Sequence, residues 1–419
     1  MAGGEETERG TIVKRIDGKG SLYYDVDKKS TRNLCDLRCF LFLLGRNKGG
    51  ADDDMKKTKI IVALAAVLLV VGIVVLFVFG SRNYKGYEVV QELEISEVSE
   101  YAESGGALIR CGKEGAQAVA KDGTLLWNVT YGTMKNPKFV FCGSIMVVAD
   151  IGAKQYLISD GSGATKNFST PYPIQMVSVA KQGVTAVLMN GENTDYIYIY
   201  DKDGALLSEI ETVVARDGFP LAIALSEDGT KLITSYMKVE RDEPVCSVTF
   251  YNFGEVGQNY TRNLVGQVQY EECLVPRIEF WDNDTVLVMG ENIMEIFAMD
   301  EIPESVFKKE ITAEIKSIAF GDYFCTVTKN KDGQEVLEAY NKTGEVCMKK
   351  VPALSYVGMH TEGDEVVLYS YSGCEIYNIK KGELIYQGTF ENGIRQMFVI
   401  GGNRYYLVEN RLVRVIKLV

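Results

Sequence analysis

An all-β ring of repeated four-stranded sheets, an eight-bladed β-propeller after a single N-terminal transmembrane helix, is the fold this sequence predicts. Three observations carry it. Strand-like runs after residue 86 end again and again in turns of the Asp-Gly kind, as in KDGTLLWNV and DKDGALLSEI. Those turns fall near Asp122, Asp160, Asp203, Gly254, Asp300, Thr343 and Lys381, a spacing of about 43 residues, which is the length of a four-stranded blade. The last unit, RQMFVIGGNRYYLVENRLVRVIKLV, has three strands, and a spare strand lies before the first.

Residues 1–55 read as a mobile cytoplasmic tail. MAGGEETERGTIVKRIDGKG is polar and without periodicity, and the apolar run 39–44 is too short to span a bilayer. Cys35 and Cys39 lie one helical turn apart, which leaves a docking helix, a palmitoylated pair or a metal-binding pair as sharper readings. A second cysteine pair, which a metal site would need, is missing here. Met55 is an alternative start, because MKKTKIIVALAAVLLVV looks like the beginning of an anchored or exported protein.

The segment 56–81 is the predicted transmembrane helix. Its core, 60–79, runs 20 residues without a charge, enough at about 1.5 Å per residue to cross a hydrocarbon layer of about 30 Å. Lys56, Lys57 and Lys59 precede it, so the positive-inside rule places the N-terminus in the cytoplasm and the rest outside. A cleaved signal peptide is the rival, but the run is long for one and ends in FVFGSRNY, a weak cleavage site.

The remainder, 82–419, is the predicted extracytoplasmic propeller. The spare strand YEVVQELEI, 87–95, is expected outermost in the last blade, joining the two ends of the ring and removing its open edges. First strands are expected near residues 97, 138, 174, 221, 277, 315, 354 and 394; seven blades is the alternative if EVSEYAESGG is a linker. The longest step, SYMKVERDEPVCSVTFYNFGEVGQNYTRN, calls for a longer second-to-third hairpin and a looser turn after it. Alternation supports the strands: Tyr196, Tyr198 and Tyr200 share one face, Ile197 and Ile199 the other.

Composition narrows function. Residues 1–59 carry 13 Lys/Arg against 10 Asp/Glu, and the rest carries 32 against 47. So acidic a domain is a poor nucleic-acid binder. One histidine, His360, excludes any site built on two, and its setting in VGMHTEG suggests a strand end or loop. Seven cysteines follow the helix, several inside strand patterns, as expected of reduced core residues; one or two bridges remain the alternative. Asn128 and Asn259 sit in N-x-Thr patterns that matter only in a glycosylating host.

The units AQAVAKDGTLLWNV and YIYIYDKDGALLSEI resemble blades of pyrroloquinoline-quinone-like propellers. The whole plan resembles an uncharacterised family of Gram-positive bacterial proteins with a short cytoplasmic part, one membrane anchor and an external propeller. The resemblance implies fold and location. The quinoprotein cofactor would need stacked tryptophans and adjacent cysteines, whereas this chain has Trp127, Trp281 and no adjacent pair. No cofactor, metal site or catalytic residue is therefore assigned. Calcium at Asp201/Asp203 or Asp282/Asp284 lacks the third ligand of the loop pattern, and a turn in which Asp bonds its own backbone is expected. The function expected is a membrane-tethered scaffold in the cell envelope, lodged in the bilayer through 60–79 and binding an envelope protein or wall polymer by one face of the ring. The alternatives are a cell-wall-directed hydrolase or lyase with acidic catalysts in the channel, and a transmembrane ligand sensor. The acids outside the membrane are taken as mostly solvated loop charges.

Overall fold

The computed structural model describes residues 12–16, 22–26, 83–94, 100–192 and 194–419. The chain divides into two compact units, Met1–Ser81 and Arg82–Val419. In the first, Ile12–Ile16 pairs antiparallel with Leu22–Val26, a hairpin that begins inside the stretch 1–20 read as lacking periodicity. The predicted helix core 60–79, with Cys35, Cys39 and Met55, lies outside the described residues. Among the described residues no helix is long and apolar enough to cross a membrane.

The second unit is an eight-bladed propeller, each blade a four-stranded antiparallel sheet. The inner strands of blades 1 to 4 are Glu100–Ser104, Pro137–Cys142, Ile174–Val179 and Phe219–Leu225. Those of blades 5 to 8 are Arg277–Phe280, Glu314–Phe320, Gly358–Glu362 and Gln396–Gly401. Around the axis the inner strands of blades 2 to 5 touch in succession, as do those of blades 6 to 8. Blade 8 is completed from the other end of the ring: Tyr87–Glu94 pairs with Leu412–Leu418 in the register Tyr87 to Leu418 and Glu94 to Leu412. The expected end of this strand at residue 95 lies outside the described residues. One start shifts from expectation: the inner strand of blade 7 begins at Gly358, while residues 95–99 before the inner strand of blade 1 lie outside the described residues.

The recurring Asp-Gly turn has a packing reason. In blade 3 the Asp201 carboxylate accepts the N–H groups of Asp203 and Ala205, each at 2.8 Å. Gly204 follows at φ +85°, and a Cβ there would meet the Phe168 ring of blade 2 at 2.6 Å. Blade 6 repeats the arrangement with Gly344 beneath Phe307 of blade 5, and Gly163 lies beneath the Trp127 Cβ of blade 1. An aromatic residue of one outer strand thus lies on the turn of the next blade, and glycine is the residue that admits both the φ and the contact.

Between blades the core is aliphatic and aromatic. Ile197 and Ile199 are buried toward blade 4, while Tyr196, Tyr198 and Tyr200 form a ladder on the other face at ring spacings of 6.1 and 6.0 Å. The long step builds a ten-residue hairpin, Lys231–Glu240 with Glu243–Asn252, turning at Arg241 and Asp242 with φ 52° and 67°. Two 3₁₀ turns, Gly257–Asn259 and Thr261–Asn263, then precede the outer strand Leu264–Glu271.

Antiparallel order gives the ring two distinct faces. The chain joins it at residues 83–86, where Val419 N–H donates to the Gly86 carbonyl at 3.0 Å. That end, the N-terminal face, also carries the first-to-second and third-to-fourth turns. The opposite, crossover face carries the second-to-third turns and the links between blades.

Candidate functional site

The inner strands of blades 2 to 5 line a central cavity of about 770 Å³, closed on the far side by Phe320 and Glu362. Val140, Met176, Ile223 and Ile278 are among its walls, with Lys138, Gln175, Arg277 and Glu279 as polar groups. Arg277 and Glu279 are two apart on one strand and so share a face. Arg277 Nε lies 3.3 Å from Glu279 Oε1, close enough for an ion pair but not aligned for a hydrogen bond. Burial pushes the Glu279 carboxyl above its ordinary range, and Arg277 pulls part of the way back.

Toward the N-terminal face two more carboxyls approach the axis, Glu103 and Glu362, each near the end of its inner strand. Glu103 Oε1 accepts the Gly106 N–H at 2.6 Å. Both are raised, first by burial, then by like charge: Glu362 acting on Glu103, and Asp322 acting on Glu362. This end is braced from blade to blade. Ser104 Oγ donates to Gly143 O at 2.8 Å, Lys121 Nζ to Ile400 O at 2.7 Å, and Trp281 Nε1 to Gly321 O at 2.9 Å.

The structure places the residues weighed from sequence in structural roles. Asp282 Oδ1 accepts the Asp284 N–H at 2.9 Å and Oδ2 pairs with Lys342 at 2.6 Å; Asp284 pairs with Lys231. These are turn and surface contacts. Among the described residues no three His, Cys, Asp or Glu side chains converge as metal ligands. Cys111, Cys142, Cys246, Cys273, Cys325, Cys347 and Cys374 are all free thiols; of these Cys347 is exposed and Cys142 half-buried. Asn128 lies in the outer strand of blade 1 and Asn259 in the first 3₁₀ turn of blade 4.

The expectation that the acids are solvated loop charges is corrected at several positions. Glu295, Glu338, Glu375 and Glu409 are buried. Glu295 accepts from Tyr270 Oη at 2.9 Å and Ser305 Oγ at 2.6 Å, with Lys308 Nζ at 3.3 Å. Glu338 accepts from Tyr340 Oη, from Lys309 Nζ at 3.1 Å and from Lys349 Nζ at 2.8 Å. Burial pushes the Glu338 carboxyl up, but these three donors outweigh it and hold it down at about 2. Glu375 repeats the pattern with Tyr377 at 2.7 Å. Buried charge persists where it is fully hydrogen-bonded, so these groups are braces between strands. The signal was present as Glu-x-aromatic in the third strands: MEIF, LEAY and CEIY.

His360 is corrected too. It lies in the middle of an inner strand, Gly358–Glu362, where Nδ1 accepts the Val399 N–H at 3.2 Å and the ring stands edge-on to Phe398 at 5.2 Å. Burial pushes its pKa down to about 4. A folded value below the ordinary one of about 6.5 means the unfolded chain binds the proton first. Stability from this group is therefore full above about pH 6.5 and is lost as pH falls toward 4. Between pH 7 and pH 5 the loss should be on the order of 1–2 kcal/mol. Denaturant melts of wild type and His360→Asn at both pH values check this. The variant keeps an acceptor for Val399 but does not titrate, so it should lose that much less stability on acidification. Parallel losses in the two proteins would exclude His360 as the source.

The chain belongs to a family of unknown function, DUF5711, whose profile spans residues 80–418. No curated protein matches it. Similar solved structures include BamB from Moraxella catarrhalis, 14% identical, covering 80% of this chain and 100% of that one at a TM-score of 0.49. They also include the computationally designed Ika8 protein, 11% identical, covering 79% and 100% at a TM-score of 0.52. BBS1N in complex with ARL6DN is 12% identical, covering 81% and 98% at a TM-score of 0.42. Likeness at these identities is likeness of fold.

Proposed function

We propose that the propeller is a non-catalytic binding module of the cell envelope, tethered by residues 60–79 with the ring outside, and that it holds an envelope protein or a wall polymer on its crossover face. The observation that carries this reading is Tyr371, at the second-to-third turn of blade 7, 74% exposed. Val357, whose N–H bonds the Tyr369 carbonyl, adjoins it and is also exposed. Phe219 stands 59% exposed on the same face at blade 4. Large aromatic side chains left in water on loop tips are the type that anchors protein interfaces. They lie opposite the face where the chain joins the ring, which leaves them accessible in a tethered molecule. Among the channel carboxylates, Glu279 is paired with Arg277 at 3.3 Å, although burial still leaves its carboxyl raised.

Location is tested on intact cells with a membrane-impermeant maleimide. Cys347 is exposed and should be labelled, and Cys347→Ser should remove the ring's share of the signal. Labelling that needs prior lysis would place the ring inside. Binding is tested with a photo-crosslinking residue at position 371 in the full-length membrane protein. One recurrent adduct is expected, lost when Val357→Glu and Phe219→Glu are combined. The same adducts with and without those changes would overturn the assignment of the face.

A further inference from the structure

We infer that the cleft between blades 3 and 4 is a second site, and that it takes a neutral, hydroxyl-rich ligand, a sugar unit of a saccharide. The cleft encloses about 460 Å³, within the range of about 300–1,000 Å³ usual for small-molecule sites. Its floor is Ile210 and Thr212 from the outer strand of blade 3, with Tyr236, Thr249 and Tyr251 from blade 4, all buried.

The floor departs from the carbon-lined seams elsewhere. Strand register puts Thr234 opposite Thr249 and Tyr236 opposite Ser247, and the outer strand continues the row with Gln267 and Gln269. One face of blade 4 therefore presents hydroxyls and amides to blade 3. Tyr236 is 3% exposed, and its Oη clusters with the hydroxyls of Thr234, Thr212 and Tyr251; neither it nor the buried Thr234 Oγ1 beside it has a well-aligned hydrogen-bond partner. Poorly satisfied buried hydroxyls are costly, and a loosely bonded cluster of them beneath a cavity marks a place where an incoming group can supply better bonds.

The mouth is built by the long step in blade 4. Thr261 and Arg262 form one lip, with Arg262 and Asn263 held at φ 59°. The short helix Val214–Asp217 forms the other, its Arg216 clamped by Asp217 through two contacts of 2.8 Å. Arg262 and Glu211 are exposed on the rim and carry opposite charge. Arg216 and Asp217 cancel likewise, so the cleft offers no net attraction to an ion. Its remaining groups both donate and accept, and Leu264 adds an apolar edge. Alternating donors and acceptors beside a C–H face describe a sugar ring. The cleft opens on the side of the ring, so this reading stands whether or not the crossover face binds a partner.

Saturation-transfer NMR and calorimetry on the full chain in detergent test it. The probes are glucose, galactose, mannose, N-acetylglucosamine and N-acetylgalactosamine with their β-1,4 disaccharides. At least one probe should bind with a Kd below about 1 mM. Tyr236→Phe, which deletes only the hydroxyl, should weaken it at least about tenfold without lowering the melting temperature. Arg262→Gln should weaken it as well. Absence of binding by every probe overturns the proposal, as does affinity unchanged in both variants. A lower melting temperature for Tyr236→Phe also overturns it, because the hydroxyl would then have a partner inside the protein.

Discussion

A chain beginning at Glu100 should melt far below one beginning at Arg82, or aggregate, because it lacks the strand that closes the ring. Tyr87–Glu94 supplies the fourth strand of blade 8, and without it Leu412–Leu418 becomes an open edge. Unpaired edges invite association with other chains. The apolar loss is modest. Val89 and Val90 are 44% and 45% exposed, because a bulge between Val89 and Gln91 shifts the register, and Leu93 is buried at 7%. What goes with Leu93 is polar and aromatic. Tyr87 lies against Phe390 at 5.0 Å, Glu92 pairs with Arg414 at 2.9 Å, and Lys85 N–H donates to the Val419 carbonyl at 2.9 Å.

One buried leucine contributes roughly 1.5–3 kcal/mol, and a row of ladder hydrogen bonds adds about 0.5–1.5 kcal/mol net for each. The sum is comparable with a whole protein's margin of about 5–15 kcal/mol. Thermal melts followed by circular dichroism decide it. A synthetic peptide of residues 83–94, added in trans, should raise the melting temperature of the shorter chain. Equal melting temperatures for the two chains would mean that something else closes the ring.

The ring was legible because its repeat is written in turn chemistry. Every third-to-fourth turn named from sequence, from Asp122 to Lys381, falls between the third and fourth strands of its blade. Those positions need a side chain that bonds its own backbone, a residue tolerant of positive φ, or both, and few residue types qualify. The closing strand was legible by counting. The buried carboxylates were only partly legible: the Glu-x-aromatic spacing marks the strands, but a glutamate there carries no mark of what lies across the seam. Tyr270 and Glu295 meet from neighbouring blades, and no local window contains both. The cleft between blades 3 and 4 was half legible. The long step announced extra chain, but the buried Tyr236 hydroxyl depends on a face 24 residues of strand and loop away from Thr212. His360 was misplaced for the opposite reason: the glycine-rich setting of VGMHTEG reads as loop, while pairing with Glu365–Tyr369 makes it strand.

Phe250→Ala should be among the most destabilising single substitutions in the ring. Phe250 is fully buried in the seam between blades 4 and 5, where its ring lies 5.0 Å from that of Phe297 at 56°. Truncation removes the transfer free energy of the ring and leaves a cavity, together about 3–5 kcal/mol. The two aromatic rings also attract each other by about 0.5–1.5 kcal/mol beyond the area they bury. A double-mutant cycle with Phe297→Ala should therefore fall short of additivity by about that amount or more, since the second truncation enlarges an existing cavity. Leu125→Ala, on an exposed outer strand, is the control and should stay within about 0.5 kcal/mol of wild type. Urea melts of the chain from Arg82 read all five proteins. In a ring each blade is held by two seams, so damage at one seam is felt by the whole only if unfolding is cooperative around the circle. A single transition shifted downward in Phe250→Ala is the expected result. Two separated transitions would show that the seam between blades 4 and 5 opens by itself, and a shift under about 1 kcal/mol would show that it collapses onto the missing ring.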